Sequence, residues 1–283
     1  MKFSCIGGDL RQIETAKFLQ EFGHDVTTFG LPKSVNICSA DSLYNAVSGA
    51  DAVVLPLPVT RDGNTINAPL TGIIISIQDI LLCRPNFVFG GLIKQNLRNE
   101  LSNHSIDFLD YYDSEALTVK NAVLTAEAAV AVAVNCTDFS IFGSKALVIG
   151  YGRIGRQLAK YLNVLGADVV ATTRQDHIMA CISADGITPE VTDNVTEICG
   201  EFDYIFNTVP FPLLDRNFFK NCKKTAFIED LATDSGIDLA AAHEYEINAA
   251  VYGGLPGKHS PKTSAKFIAQ EILKYFIDGG YNA

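Results

Sequence analysis

Three glycines are the residues whose type and spacing most directly indicate chemistry in this sequence. Gly150, Gly152 and Gly155 follow the apolar residues 146–149 and precede a run in which leucines recur at helical spacing. In such a strand, turn and helix, the first glycine allows the tight turn, the second lets a pyrophosphate approach, and the third lets helix and strand pack closely. The phosphates bind backbone N–H groups at the helix N-terminus. We therefore predict a dinucleotide site, with a merely structural turn as the alternative. The predicted contacts are Gly150, Gly152, Arg153, Ile154 and Gly155.

The residues after the next predicted strand, 167–171, bear on the choice of cofactor. Sites that bind NAD usually carry an Asp or Glu there, which accepts a hydrogen bond from the ribose 2′-hydroxyl. This chain has Thr172, Thr173 and Arg174 instead. Two hydroxyls and a guanidinium suit a 2′-phosphate. We therefore predict NADP rather than NAD, the alternative being that Arg174 only covers the surface.

A second polar segment is expected at the same edge of the sheet. Residues 204–207 are predicted to form a further buried strand, which closes in Asn207, Thr208, Val209 and Pro210. Ligands of open α/β sheets bind at the carboxyl ends of the strands. We predict that this segment contacts the ribose of the nicotinamide.

The beginning of the chain repeats the organisation of the glycine turn. A short apolar strand, a turn, an amphipathic helix and a second strand recur at a constant offset of 143 residues, which aligns Gly7 with Gly150. Asp9 and Gln12 replace the second and third glycines. A carboxylate there would repel a pyrophosphate, and a Cβ would block its approach. The pattern predicts two related domains, of which only the second binds a dinucleotide.

The predicted fold class is therefore α/β, with two tandem Rossmann-like parallel-sheet domains and a cleft between them. Residues 1–123 are expected to form a substrate domain, which the C-terminal helix 262–283 completes. Residues 124–140 are expected to form an interdomain helix, and residues 141–261 the NADP-binding domain.

Two further segments place polar groups where a ligand could bind. The loop 60–64 follows the carboxyl end of the predicted strand 52–57, although a solvated loop would have the same composition. Residues 124–134 are apolar on all sides and predict a buried helix with Thr125 as its N-cap. Glu127 would then lie in the first turn, where its carboxylate either complements the helix dipole or faces the cleft.

Composition excludes several classes of partner. The net charge is -10 and no Lys/Arg cluster stands out, which argues against binding nucleic acid. The 7 cysteines are scattered without a Cys-x-x-Cys pair, which predicts free, mostly buried thiols in a reducing cytoplasm and no metal site. We find no signal-peptide core and no uninterrupted apolar run near the roughly 18 residues of a membrane span, so no membrane association is predicted. The oligomeric state stays open, a homo-oligomer included.

The motifs taken together resemble the family of the dipicolinate synthase A subunit along nearly the whole chain. The motifs that carry the resemblance are Gly7-Gly-Asp-x-Arg-Gln12, Leu55-Pro-Leu-Pro58, Asn121-Ala with Thr125-Ala-Glu127, Gly150-Tyr-Gly-Arg-Ile-Gly155, and Gly254-Leu-Pro-Gly257 with Pro261-Lys-Thr263. The Thr-Ala-Glu and Gly-Leu-Pro-Gly motifs are far more specific than the glycine pattern. Ala128 and Ala129 depart mildly from the Gly-Ala pair expected in the family.

The resemblance implies an enzyme of spore formation. Such an enzyme oxidises dihydrodipicolinate to dipicolinate with NADP in the cytoplasm of the mother cell, and the flavoprotein-like B subunit of dipicolinate synthase is its partner. Conversion to the aromatic ring removes one hydride and one proton, so the site must mainly align the ring and hold two carboxylates.

That reaction suggests roles for charged and hydroxyl side chains. Carboxylates are bound by Arg, Lys, hydroxyls and helix N-termini. The candidates for this small dicarboxylate substrate are Arg11, Thr60, Arg61, Thr125, Lys262 and Thr263. The proton could leave to Glu127, to His259 or to water, although a lone histidine in a loop is more often exposed and idle.

A wider likeness is to two-domain 2-hydroxy-acid dehydrogenases. Those enzymes rely on an Arg after the strand equivalent to residues 226–229 and on a His after a Pro near the last helix. Here residues 230–233 contain no Arg, and Lys262 follows Pro261. Two alternatives stay open, namely another NADP-dependent dehydrogenase of a small carboxylate and a non-catalytic subunit that senses NADP.

Overall fold

The chain divides into two compact units. The computed structural model describes residues 1–33, 37–232 and 236–277. The first unit comprises Met1–Lys120 and the segment that starts at Gly257, and the second comprises Asn121–Pro256. Within the described residues each unit is built on one parallel sheet of six strands, with helices between the strands. The predicted α/β fold with two Rossmann-like sheets is thereby confirmed.

Strands and helices alternate along the chain. The elements up to residue 136 are β1 (Lys2–Ile6), α1 (Leu10–Glu21), β2 (Asp25–Phe29), β3 (Cys38–Ser39), α2 (Leu43–Val47), β4 (Ala52–Val54), α3 (Ile77–Leu82), β5 (Phe87–Gly90), α4 (Gln95–Asn103), β6 (Asp107–Asp110) and α5 (Glu115–Cys136). The remaining elements are β7 (Lys145–Ile149), α6 (Arg153–Val164), β8 (Asp168–Thr173), α7 (Asp176–Ala184), β9 (Thr188–Val191), α8 (Val195–Ile198), β10 (Tyr204–Asn207), α9 (Arg216–Asn221), β11 (Phe227–Asp230), α10 (Leu239–Glu244), β12 (Asn248–Val251), α11 (Leu255–His259) and α12 (Pro261–Ile277).

The sheet of the first unit has the strand order β3-β2-β1-β4-β5-β6. One of its faces carries Phe3 and packs against α1 and α12, whose Leu19, Ile268 and Ile272 are buried there. Side chains of successive strand residues alternate between the two faces, so Ile6 belongs to the core on the opposite face. The last helix therefore belongs to the first unit, and it begins at Pro261. The predicted helix beyond Ile277 lies outside the described residues.

The sheet of the second unit has the equivalent order β12-β11-β10-β7-β8-β9. The central strand β7 pairs with β8 on one side and with β10 on the other. The strand order reverses at this point, and ligands of such sheets bind outside the carboxyl ends of the strands there. The glycine turn follows β7 directly, so the topology places it at the expected binding edge.

Helix α5 corrects one prediction. It begins at Glu115 rather than at residue 124, and the hydroxyl of Ser114 accepts a hydrogen bond from the Leu117 N–H at 3.4 Å. Thr125 is therefore not an N-cap but an interior residue, whose hydroxyl donates to the Asn121 carbonyl at 2.9 Å. Glu127 is consequently not in the first turn, and its side chain is exposed.

Helix α5 also bears on membrane association. Its 22 residues are long and apolar enough, by length and composition alone, to cross a membrane. Half of its most apolar window of 18 residues is buried in the structure. Lys120 and Glu127 interrupt it, which is why the sequence shows only a shorter apolar run.

The cysteines are free, but the expectation that most are buried is wrong. All 7 lie in described segments; Cys5 and Cys199 are buried, whereas Cys38, Cys136 and Cys181 are exposed. Cys38 lies in the two-residue strand β3, Cys136 ends α5 and Cys181 lies on α7.

Candidate functional site

The glycine turn of the second unit has the backbone that its sequence requires. Gly150 has a φ of +93°, and a Cβ there would lie 2.6 Å from a methyl group of Val209. A Cβ on Gly155 would overlap the carbonyl oxygen of Gly150, so helix and strand can approach only with glycine at this position. No described atom lies within 4 Å of a Cβ built on Gly152. The protein therefore packs tightly against Gly150 and Gly155 and leaves space at Gly152, where a ligand could approach.

Helix α6 starts from this turn without a side-chain cap. Gly152 is its N-cap, and this position makes no side-chain cap hydrogen bond within the described chain. The first N–H groups of a helix lack partners within the helix and carry a partial positive charge. A pyrophosphate can supply the missing acceptors, so Gly152, Arg153, Ile154 and Gly155 fit the dinucleotide predicted for them.

The equivalent turn of the first unit is filled by the protein itself. The Asp9 carboxylate caps α1 by accepting from the Arg11 N–H at 3.0 Å. The Arg11 guanidinium binds the same carboxylate at 2.7 Å and donates to the Leu57 carbonyl. The Gly8 N–H donates to the Asn67 carbonyl at 2.7 Å. The place of a phosphate is therefore taken by a carboxylate in this turn, whereas it is left open in the turn of the second unit.

Arg11 is therefore engaged in contacts within the first unit. It is only 6% exposed, and a Cβ on Gly257 would lie 2.8 Å from its Nε and 2.6 Å from Asp9 Oδ2. The last glycine of the Gly-Leu-Pro-Gly motif is thus required for the backbone to approach the Asp9–Arg11 pair. Two of the motifs that carry the family resemblance meet inside the first unit.

The threonines at the end of β8 are engaged in the protein. Thr172 and Thr173 belong to this strand rather than following it. The Thr172 hydroxyl accepts from the Gly150 N–H at 3.3 Å and from the Thr192 hydroxyl at 3.1 Å, and Thr172 is fully buried. The Thr173 hydroxyl accepts from the Gln175 N–H at 3.2 Å. Thr172 thus fixes the glycine turn through its side chain.

Arg174 is exposed at the same edge of the sheet. Its Nε donates to Asp193 Oδ1 at 2.8 Å, and its guanidinium carbon lies 5.3 Å from the centre of the Phe211 ring. Asp193 comes from the 3-10 turn Thr192–Asn194 and is also exposed. No pattern in the sequence indicated that these three distant residues meet.

The segment after β10 is held by β11. The Asn207 amide donates to Asp230 Oδ1 at 3.0 Å and to the Val209 carbonyl at 3.0 Å. The Thr208 hydroxyl donates to the Ile149 carbonyl at 2.9 Å. Asn207 and Asp230 are both fully buried, while Pro210 is exposed. The loop after β10 is thereby fixed beside the glycine turn, and Asp230 joins the residues that sequence analysis identified.

The loop of the first unit that carries Thr60 and Arg61 is organised by Asp62. Asp62 accepts from the Thr60 hydroxyl at 3.0 Å and from the Thr65 hydroxyl at 2.7 Å. Hydrogen bonds from Thr65, foremost from its hydroxyl, hold the pKa of Asp62 well below its usual range. Arg61 is exposed, and its Nε donates to Asn67 Oδ1 at 3.3 Å. The loop is therefore ordered around one carboxylate and presents one guanidinium.

The remaining candidates are divided between the two units. Lys262 and Thr263 are exposed in the first turn of α12, and His259 is exposed at the end of α11. Glu127 and Thr125 lie on α5 in the second unit. The pKa of Tyr161 is raised, first by its desolvation and then by the charge of Glu127.

A buried carboxyl group that the sequence did not reveal lies in β11. Glu229 is fully buried, and neither of its oxygens has a hydrogen-bond partner among the described residues. Burial raises its pKa from 4.5 to about 9, so the group is protonated at neutral pH. Among the residues that the structure describes, no group of three or more His, Cys, Asp or Glu side chains could hold a metal ion.

Comparison with known families divides the chain as the fold does. Residues 2–112 match the family described as the N-terminal domain of the dipicolinate synthase A subunit. Residues 125–245 match the NAD binding domain of D-isomer specific 2-hydroxyacid dehydrogenases. The second match supports a nicotinamide cofactor and an oxidoreductase-type domain.

Comparison with individual proteins extends this to the whole length. The chain is 27% identical to the A subunit of dipicolinate synthase of Bacillus subtilis over 289 residues, which cover 98% of this chain and 96% of the relative. The crystal structure of the same subunit from Bacillus halodurans is 25% identical with a TM-score of 0.85, covering 96% of each chain. The D-lactate dehydrogenase of Escherichia coli, 14% identical with a TM-score of 0.65 over 99% of this chain and 98% of the other, shares the fold. The resemblance to the dipicolinate synthase family is thereby confirmed.

Proposed function

We propose that this chain, a relative of the dipicolinate synthase A subunit along its whole length, is an NADP-dependent oxidoreductase that oxidises dihydrodipicolinate to dipicolinate during spore formation. The observation that carries the proposal is the uncapped glycine turn of the second unit, in contrast to the equivalent turn of the first unit, which Asp9 closes. One unit is thus fitted to a dinucleotide and the other is free to bind a substrate.

The residues of the second unit would hold the cofactor. Gly152 to Gly155 supply N–H groups to the pyrophosphate, and Arg174 supplies a guanidinium to the 2′-phosphate. The fixed loop from Asn207 to Pro210 would contact the ribose of the nicotinamide. When bound, the nicotinamide provides the acceptor for a hydride.

The substrate would require groups that bind carboxylates and accept a proton. Arg61, Lys262 and Thr263 have exposed polar ends suited to a carboxylate, with Thr60 ordering the loop of Arg61. Arg11 and Thr125 are bonded within the protein and would act on the substrate only by positioning other residues. The exposed Glu127 and His259 are the proposed proton acceptors.

The proposal extends to partner and location. The relatives are named as one subunit of an enzyme, and we propose that this chain works with the flavoprotein-like B subunit of dipicolinate synthase in the cytoplasm of the mother cell. The whole proposal is tested by mixing the chain with NADP and freshly prepared dihydrodipicolinate and following the absorbance of NADPH as it forms. The assay is run with the B subunit and without it. Formation of NADPH and dipicolinate in equal amounts is expected, and Gly152→Asp is the inactive control.

A second candidate function is an NADP-dependent dehydrogenase of another small carboxylate. The match of residues 125–245 to the 2-hydroxyacid dehydrogenase domain favours it. Ala232 and Lys262 count against it, because residues 230–233 lack the Arg of those enzymes and Lys262 takes the place of their His. Thr233, also part of this comparison, lies outside the described residues. NADPH formation from a 2-hydroxy acid but not from dihydrodipicolinate would favour this second function, and cofactor binding without turnover of either would indicate a sensing role.

The proposed substrate side is tested by two substitutions. Arg61→Ala should raise KM because it removes a cation for a carboxylate, and Glu127→Gln should lower kcat because it removes a proton acceptor. The dissociation constant for NADP should stay unchanged in both variants. Unchanged steady-state kinetics in both would show that the substrate binds elsewhere.

A further inference from the structure

Three loops of the second unit meet around one guanidinium. Arg174 follows β8, Asp193 lies after β9, and Phe211 lies after β10. The Nε of Arg174 donates to Asp193 Oδ1 at 2.8 Å, and the guanidinium carbon lies 5.3 Å from the centre of the Phe211 ring. Since all three loops lie at the carboxyl edge of the sheet, this cluster belongs to the edge at which the glycine turn opens.

The position of Asp193 is fixed relative to that turn. Its neighbour Thr192 donates through its hydroxyl to Thr172, which in turn accepts from the Gly150 N–H. Thr192 and Thr172 are both buried, so this chain of hydrogen bonds is shielded from water. The carboxylate of Asp193 is thus carried by a segment tied to the turn and does not belong to a free surface loop.

The Asp193 carboxylate at this edge of the sheet weakens the electrostatic preference for NADP over NAD. The sequence showed a guanidinium after β8 and no acidic residue, which favours a 2′-phosphate. The structure adds a carboxylate from the next loop and pairs it with that guanidinium. A 2′-phosphate would have to share Arg174 with Asp193 and would lie near a like charge, whereas the 2′-hydroxyl of NAD would meet neither cost.

We propose that Asp193 is a second determinant of cofactor choice, which opposes Arg174 and lowers the preference of the site for the phosphorylated dinucleotide. This inference rests on the proposed binding of NADP to the second unit. Arg174 provides the attraction for the 2′-phosphate, and Asp193 limits it by competing for the same guanidinium. The pair together sets a moderate preference where Arg174 alone would give a strong one.

The test is a set of dissociation constants for NADP and NAD, measured by titration of the full chain at low salt. Asp193→Asn should tighten NADP binding by about three- to tenfold, since one exposed ion pair and one like-charge repulsion are removed. NAD binding should change by less than about twofold, because NAD lacks the phosphate. Asp193→Ser, which removes the carboxylate with a smaller side chain, should give the same result.

Two controls distinguish an effect of the Arg174–Asp193 ion pair from an effect of net charge alone. Asp176 is exposed on the first turn of α7, two residues from Arg174, and Asp176→Asn removes the same charge without breaking the ion pair. It should leave the ratio of the two dissociation constants nearly unchanged. In an Arg174→Ala background, Asp193→Asn should improve NADP binding by less, because only the like-charge repulsion is relieved and there is no longer a guanidinium to release.

The outcomes distinguish this inference from the function on which it rests. If Arg174→Ala weakens NADP binding but Asp193→Asn and Asp193→Ser leave it unchanged, the role of Asp193 is overturned and the proposed cofactor stands. If Arg174→Ala leaves NADP binding unchanged, the roles of both Arg174 and Asp193 are overturned. If the unmodified chain does not bind NADP, the function on which the inference rests is overturned as well. A gain in the Asp193 variants that shrinks as salt rises supports the inference, because exposed charges are screened by salt.

Discussion

At the scale of single residues, the two units differ by what occupies the N-terminus of one helix. In the first unit the Asp9 carboxylate caps α1 and is held there by Arg11. In the second unit Gly152 begins α6 and brings no side chain to that place. A built-in carboxylate and a bound phosphate satisfy the same N–H groups, so one residue decides between a self-contained turn and an anion site.

This comparison predicts the effect of Gly152→Asp. The new carboxylate should cap α6 as Asp9 caps α1, and it should repel the pyrophosphate, so dinucleotide binding should be lost. Thermal stability should be unchanged or slightly raised, because an N-cap typically adds about 1 kcal/mol. Titration with NADP and a melting curve check both parts. A crystal structure with the dinucleotide on the Gly7–Gln12 turn would contradict the assignment of the site to the second unit.

Glu229 gives a second residue-scale prediction, for the dependence of stability on pH. Its pKa is raised from 4.5 in the unfolded chain to about 9 in the folded protein. Its contribution to stability is therefore complete below pH 4.5 and is lost as pH rises towards 9, at about 1.4 kcal/mol per pH unit. Glu229→Gln keeps the shape without the acid, so the variant should be more stable at pH 8 by an amount on the order of 5 kcal/mol.

The measurement for Glu229 is the free energy of unfolding of the second unit from hydrogen exchange between pH 5 and 8. Glu197→Gln, at an exposed position of α8 in the same unit, is the matched control and should leave the pH dependence unchanged. Equal slopes in the unmodified protein and in Glu229→Gln would show that the Glu229 carboxyl is ionised in the folded state.

At the scale of elements, a network of ion pairs ties the glycine turn to the helices around it. The Tyr151 hydroxyl, inside the turn, donates to Asp185 Oδ2 at 2.9 Å, and Arg156 and Lys160 of α6 bind the same carboxylate at 2.9 and 3.2 Å. The hydrogen bond from Arg156, the largest influence, lowers the pKa of Asp185 to about 2. The end of α7 is thereby joined to both the turn and α6.

Helix α12 allows a prediction about the elements of the first unit. Ile272 is fully buried against the sheet with Leu19 of α1. Ile272→Ala should lower the free energy of unfolding of this unit by about 2–5 kcal/mol, through lost burial and the cavity that remains. Ile277→Ala removes the same atoms at an 82% exposed position of the same helix and should cost less than about 0.5 kcal/mol. Hydrogen exchange in β1 and α1 measures the loss of unfolding free energy in each variant. Equal losses in Ile272→Ala and Ile277→Ala would show that α12 is not part of this core.

At the scale of the whole molecule, the two units depend differently on the continuity of the chain. The second unit is one stretch, Asn121–Pro256, whereas the first needs Met1–Lys120 and the segment that starts at Gly257. Contacts between α1 and α12 join residues far apart in the chain, so the first unit closes only when the last helix is present.

A truncated chain tests this dependence. A protein that ends at Pro256 should lose the protection of amide hydrogens in β1 and α1, because the apolar surface of α1 and of the sheet that α12 covers is exposed to water. The sheet of the second unit should keep its protection, and NADP should still bind to it. Hydrogen exchange followed by mass spectrometry measures both units in one experiment. Full protection of the first unit in the truncated chain would contradict the role assigned to α12.

Local patterns in the sequence were enough to establish the elements and their repetition. Apolar period, glycine spacing and the offset of 143 residues sufficed to predict both Rossmann-like units and the glycine turn. The replacements at Asp9 and Gln12 were visible for the same reason. Short-range patterns were less reliable at element ends, and for this reason the N-cap assigned to Thr125 was wrong.

Which polar groups meet was decided by the tertiary fold alone. Thr172 turned out to hold Gly150, Asp193 to pair with Arg174, and Glu229 to be buried without a partner in the described chain. Each of these facts depends on residues brought together by the sheet from separate strands and loops. A hydroxyl or carboxylate has the same identity in the sequence whether it faces water, a backbone N–H or an apolar layer, and its chemistry is set by that surrounding.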